Sequence, residues 1–171
     1  LPPNVPEENP TGLYRTNFTT PEFWEGRRII IHFDGVESAF FIYLNGKFVG
    51  FSKGSRTPAE FDLTEYIQKR KNTLSIMVIR WSDGSFLEDQ DHWWMAGIYR
   101  DVYLYSTGKT YIQDVFAACE LNEDLVNGTL KLEVLIGFEK KLEEKWIIKS
   151  DLMDVEQNTI LDVPISEKVG L

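Results

Sequence analysis

Residues 80–102 read RWSDGSFLEDQDHWWMAGIYRDV, a segment that gathers three of the five tryptophans and five carboxylates of the chain. Indole rings can stack on the C–H faces of a sugar, and carboxylates can accept from its hydroxyls or bind a cation. Glu88, Asp89 and Asp91 suggest the carboxylate pair of a glycosidase, whose members lie about 5 Å apart in a retaining enzyme. Proximity in sequence does not fix that distance. Three readings of these acids therefore stand: a catalytic pair, a cation or ligand site, and solvated or structurally hydrogen-bonded groups. The spacing is not that of an EF-hand loop.

The neighbouring residues carry similar choices. Asp83-Gly84 reads as a turn after a strand, with the alternative that Asp83 offers an oxygen to a hard cation. Trp93 and Trp94 either line a sugar site or anchor the loop by packing beneath it. Arg80, Arg100 and Asp101 either orient a ligand or form an arginine–carboxylate pair that pins the loop. His32 and His92 are far apart, with no HExxH spacing and no serine in a nucleophile-elbow context. Neither a zinc site nor a catalytic triad is supported.

The elements that must position these residues read as β. Segments rich in branched and aromatic residues recur at residues 13–18, 28–33, 39–44, 47–51, 73–81, 99–105 and 111–119, the pattern of a sandwich or barrel. Asn45-Gly46 predicts a two-residue hairpin, because a type I′ turn needs positive φ at both central positions. Residues 63–69 predict a helix of one or two turns, opened by Asp62 and Glu65 at capping-box spacing. In 129–136 the alternation puts Leu130, Leu132, Val134 and Ile136 on one face, a strand with one dry side.

A boundary falls near Ser106-Thr107-Gly108-Lys109: every tryptophan but Trp146 precedes it, and the strand pattern restarts at Tyr111. The part that follows is short for an immunoglobulin-like sandwich, which needs about seven strands in roughly 100 residues. Both ends read as cut. The chain begins LPPNVP without a methionine or a signal-peptide pattern, and 163–166 reads as a strand with no closing partner.

Composition excludes several classes. The formal charge of −9, from 27 acidic against 18 basic residues, disfavours nucleic acid and anionic membrane as partners. No apolar run approaches the roughly 20 residues of a membrane helix. Cys119 is the only cysteine, which excludes an internal disulfide and a cysteine metal cage; it is expected to fill a strand as a small apolar group.

The run at 80–102 resembles, almost residue for residue, a segment of the large β-galactosidases of glycoside hydrolase family 2. Supporting matches follow in family order: Glu8-Asn9-Pro10-Thr11-Gly12, Phe33-Asp34-Gly35-Val36 with Ser38-Ala39-Phe40, Leu44-Asn45-Gly46 with Val49-Gly50, and Glu60-Phe61-Asp62-Leu63. Asn45-Gly46 and Gly97-Ile98-Tyr99-Arg100 are shared more widely with β-glucuronidases and β-mannosidases, whereas Glu88-Asp89-Gln90-Asp91 points to galactosidase. The resemblance covers residues 1 to about 106 and continues more thinly to 171.

What it implies is an all-β chain: a jelly-roll sugar-binding domain at 1–107 lacking its first strands, then an incomplete immunoglobulin-like sandwich at 108–171. The parent would be a retaining exo-β-galactosidase acting on terminal β-D-galactosides such as lactose, with both catalytic glutamates in a TIM barrel outside this chain. No catalytic residue falls here, and the piece alone is expected to be inactive. Asp91 matches an aspartate that binds substrate, facing galactosyl hydroxyls and helping to hold sodium. Asp83 matches a position that can join a structural magnesium site, but Lys53 stands where the family pattern has an amide oxygen. The match also breaks at His92 and Trp94. Na+ and Mg2+ are expected for the full-length enzyme, which would be a homotetramer in cytoplasm or periplasm. The alternatives are a non-catalytic carbohydrate-binding module and another family 2 glycosidase, a β-glucuronidase or β-mannosidase.

Overall fold

The computed structural model describes residues 4–123, 125–139 and 145–169. They divide into two compact units, Leu1–Gly108 and Lys109–Leu171, and among the described residues both are built from antiparallel strands.

The first unit holds β1 (Thr11–Phe18), β2 (Arg28–Phe33), β3 (Val36–Glu37), β4 (Ala39–Leu44), β5 (Lys47–Ser52), β6 (Ala59–Asp62), β7 (Asn72–Ile79), β8 (Gly97–Ile98) and β9 (Val102–Thr107). One sheet has the order β1-β7-β4-β5 and a second β6-β2-β9, while β3 and β8 form a short ladder of their own. Alternation explains the core. On β7 residues 72, 74, 76 and 78 are buried and the intervening ones are not, so Leu74, Ile76 and Val78 join Phe40, Ile42 and Leu44 of β4 against Ile29, Ile31 and Phe33 of β2. Each such side chain contributes about 1.5–3 kcal/mol on burial. Phe61 packs its ring edge-on to Phe33 and Phe40. It lies so close to Gly50 that a Cβ there would sit 2.3 Å from the ring.

The hairpin turn forms as expected, with φ of 53° at Asn45 and 80° at Gly46. The Asn45 side chain does more than turn the chain. Its Nδ2 donates to Tyr66 O (3.0 Å) and to Asn72 Oδ1 (2.8 Å), and its Oδ1 accepts from Thr73 N (2.9 Å). Asn72, fully buried, in turn donates to Gln68 O and Arg70 O and accepts from Gln68 N.

That network shortens the predicted helix at 63–69. Only one turn forms, with the N–H groups of Tyr66 and Ile67 on Leu63 O, because Asn72 captures both backbone groups of Gln68. The capping box does not form either: Asp62 Oδ1 accepts from Thr64 N at 3.0 Å, a local Asx turn. Among the described residues the α-helix is instead α1 (Gly84–Leu87), inside the tryptophan-rich run.

The second unit pairs β10 (Thr110–Leu121) with β11 (Gly128–Phe138), and β12 (Trp146–Ser150) with β13 (Ile165–Val169). The alternation of β11 is as predicted, with 130, 132, 134 and 136 less exposed than 131, 133 and 135, but those four residues are half-buried, so the face is not dry among the described residues. The strand expected near 163–166 begins at Ile165 and does have a partner, β12. Pro164 has no N–H to give a ladder, which moves the start of the strand past it. Cys119 lies on β10 but is exposed, so it is not a core filler.

Candidate functional site

The run at 80–102 leaves the end of β7 as an arm and returns through β8 and β9. Its root is clasped from the N-terminal side. Asn9 Nδ2 donates to Trp81 O and Asn9 Oδ1 accepts from Trp81 N, both at 2.9 Å, while Arg80 N donates to Pro10 O. An asparagine side chain thus serves as one more strand partner, which gives the Glu8-Asn9-Pro10-Thr11-Gly12 match a physical reason.

The arm is then gripped by the connection between β5 and β6. Lys53 Nζ lies 2.7 Å from Asp83 Oδ2. Ser55, 1% exposed, donates its N–H to Glu88 Oε1 at 2.9 Å, and its carbonyl accepts from the Tyr99 hydroxyl. Arg56 reaches Glu37 Oε2 at 3.1 Å and the carbonyl of Trp93 at 3.5 Å, and lies 5.7 Å from the Tyr99 ring centroid. Lys53, Ser55 and Arg56 meet the arm at Asp83, Glu88, Trp93 and Tyr99. Sequence reasoning missed this clamp, because a lysine, a serine and an arginine in a Gly- and Pro-containing stretch look like an ordinary loop. The arginines it did single out lie on rings: Arg80 is 5.1 Å from the Trp81 centroid and Arg100 5.3 Å from that of Tyr99.

The two adjacent tryptophans part company. Trp94 meets Trp81 edge-on at 4.8 Å and donates Nε1 to Asp89 Oδ1 at 3.0 Å, so both Trp94 and Asp89 build the arm. Trp93 projects outward, 87% exposed. Asp91, beside it, is exposed and its carboxylate has no partner among the described residues. Of the four acids in residues 83–91, Asp83, Glu88 and Asp89 are committed to structure. Asp91 is left to face outward, with His92 and Trp93 exposed next to it.

Cation fit differs between the two aspartates. The Asp91 carboxylate is a hard, negatively charged donor with both oxygens open, as a sodium ligand requires. At Asp83 one oxygen is taken by the Lys53 ammonium and the other accepts from Gly84 N at 3.0 Å as the α1 cap. The Lys53 hydrogen bond above all, joined by its charge and by the Gly84 N–H, outweighs the opposing effect of burial and holds the Asp83 carboxyl below its usual range. These residues do not fit a magnesium ion, which would meet an ammonium at its ligand. Among the described residues no three His, Cys, Asp or Glu side chains converge as a metal site.

His32 stands apart from the arm, on β2. Its Nδ1 is 2.7 Å from Glu60 Oε1 and its Nε2 2.8 Å from Asp34 Oδ1, and its ring stacks on Tyr103 at 4.6 Å.

The chain is similar to several known proteins. A family model described as "Glycosyl hydrolases family 2, sugar binding domain" matches residues 1–108. The chain is 41% identical over 173 residues to a β-galactosidase of Priestia megaterium, an alignment covering 99% of this chain and 17% of that protein. It is 53% identical over 133 residues to a β-galactosidase of Photobacterium profundum, covering 77% and 13%. The chain therefore spans well under a fifth of the length of these relatives. In fold it is similar to a β-glucuronidase of Bacteroides uniformis (TM-score 0.80, 23% identity, 94% of this chain and 20% of that one). It is equally similar to a protein described as a putative β-galactosidase from Bacteroides fragilis (TM-score 0.80, 19% identity, 93% and 25%).

Proposed function

Because the chain belongs to glycosyl hydrolase family 2, whose sugar binding domain occupies residues 1–108, we propose that it is part of a retaining exo-β-galactosidase in which it forms one wall of the galactose pocket. Homologues named β-galactosidase support the substrate class. The observation that carries the reading is the state of Asp91: the one acid of Glu88-Asp89-Gln90-Asp91 without a structural partner, beside an exposed tryptophan at the end of a clamped arm.

The chemistry belongs to residues outside this chain. In a retaining enzyme one glutamate attacks the anomeric carbon while a second protonates the departing glycosidic oxygen; the second then activates water to cleave the galactosyl ester. A TIM-barrel domain of the same polypeptide would supply both, and the intact enzyme would assemble as a homotetramer. Asp91 would accept hydrogen bonds from galactosyl hydroxyls and give one oxygen to sodium, which when bound supplies a positive charge for ordering hydroxyl oxygens. We assign no magnesium ligand to this chain. In the full-length enzyme, Asp91→Asn is expected to raise KM and weaken sodium activation by about tenfold or more, since a charged ligand is lost. Unaltered sodium dependence would count against the assignment.

A second reading has one observation in its favour. Trp93 is exposed as an aromatic platform would be in a free-standing carbohydrate-binding module. Titration of the purified 171-residue chain with galactose and lactose by calorimetry separates the two, with a turnover assay on the same sample. A pocket wall is expected to give neither measurable binding nor hydrolysis. Binding without hydrolysis would favour the module, and hydrolysis would refute both.

A further inference from the structure

Resting on the assignment of Asp91 just given, we propose that Arg56 is the positioning residue for Asp91: it sets where the tip of the arm stands although it touches neither sugar nor cation. Asp91 has no partner among the described residues, so its side chain is not fixed by contacts of its own. Its place is inherited from the backbone. Within residues 90–96 the backbone receives one side-chain hydrogen bond among the described residues, that of Arg56 Nη2 at the Trp93 carbonyl, 3.5 Å away. The other grips of the β5–β6 connection act elsewhere: Lys53 and Ser55 hold Asp83 and Glu88 on the entry limb, and Ser55 holds Tyr99 on the return, while among the described residues Trp94 is held through its side chain alone, on Asp89 and Trp81.

Arg56 is itself held. Nη1 bonds Glu37, whose side chain is 9% exposed, and Glu37 pairs with Gly97, where the arm rejoins the sheet. The guanidinium also lies by the Tyr99 ring. One planar group therefore ties the limb bearing Asp91 to the place where the arm returns. A guanidinium can do this because its donors point in fixed, divergent directions, whereas an ammonium is a single point. Its Nε is buried without a partner among the described residues. That cost would be avoided by turning the side chain into water, and the bonds at Glu37 and Trp93 oppose that turn.

The test uses the full-length polypeptide that carries this chain, with Arg56→Ala and Arg56→Lys compared by hydrogen–deuterium exchange and steady-state kinetics on a β-galactoside. In Arg56→Ala, exchange across residues 86–96 is expected to rise about tenfold or more, with peptides from β4 and β7 unchanged. KM should rise by about tenfold and kcat should change less, as expected for a misplaced binding group. Arg56→Lys should fall between, because its ammonium can reach Glu37 or the Trp93 carbonyl but not both. Wild-type exchange at 86–96 in Arg56→Ala overturns the proposal. If that variant does not fold, wild-type exchange in Arg56→Lys overturns it instead. Raised exchange with an unmoved KM leaves Arg56 as the anchor of the arm and refutes the placement of Asp91 in the galactoside pocket.

Discussion

Both ring nitrogens of His32 face carboxylate oxygens, and an ionised carboxylate only accepts. Two donors are needed, which makes the ring an imidazolium in this arrangement. Burial alone would lower its pKa, but the hydrogen bonds and charges of Glu60 and Asp34 together outweigh it and raise the pKa above the ordinary 6.5. The consequence has a definite sign. A raised folded-state pKa gives stability that is complete below 6.5 and is lost as the pH climbs through the raised value. His32→Gln is expected to lower the melting temperature most at about pH 6 and below, with the gap to wild type closing above neutrality. Thermal unfolding across that range checks it, and a gap that widened with pH would refute the imidazolium. Beside it, Tyr105 is pushed up to about 12 by burial and by its bond to Glu60, so the phenol stays a donor throughout. None of this was legible in the sequence. His32 and Glu60 become neighbours only because β2 pairs with β6 in a register that sets His32 opposite Glu60.

At the scale of the element, the arm depends on where it can re-enter the sheet. Gly97 makes that entry with φ of +84°, and a Cβ there would lie 2.4 Å from the Tyr14 hydroxyl. The hydroxyl, at the end of a rotatable side chain, can retreat; the backbone angle cannot. Gly97→Ala should therefore destabilise the fold by about 1–2 kcal/mol, read as a lower urea midpoint, and an unchanged midpoint would show that the entry is not constrained. Local chemistry made some elements readable: Asn-Gly demands its turn, and strict alternation on β7 demands its buried face. The helix at 63–69 was misread for the opposite reason. Its signals at Asp62 and Glu65 were genuine local preferences, but Thr64 reached Asp62 first and the remote Asn72 took the next turn's backbone.

Across the whole molecule, the strand character could be read from residue types alone, and so could the concentration of rings and acids in the 80–102 run. How the run is held could not. Within Glu88-Asp89-Gln90-Asp91, composition gives every acid the same standing; only contacts from residues 53–56 and from Trp94 separate the structural ones from Asp91. In the second unit, β12 was overlooked as a partner because 14 residues lie between Trp146–Ser150 and Ile165–Val169, too far for any turn signal to link them. The Asn45 network has a bearing on how the protein ages. Asparagine followed by glycine is the sequence most prone to lose its amide nitrogen, through attack by the next backbone nitrogen. Here the side-chain amide nitrogen of Asn45 donates to Tyr66 and Asn72, and its loss would turn a new anionic oxygen toward two acceptors, one of them on a fully buried side chain. Deamidation at this hairpin would thus loosen the 63–71 connection and the start of β7 together, making long-stored material a poor basis for judging the stability of the fold.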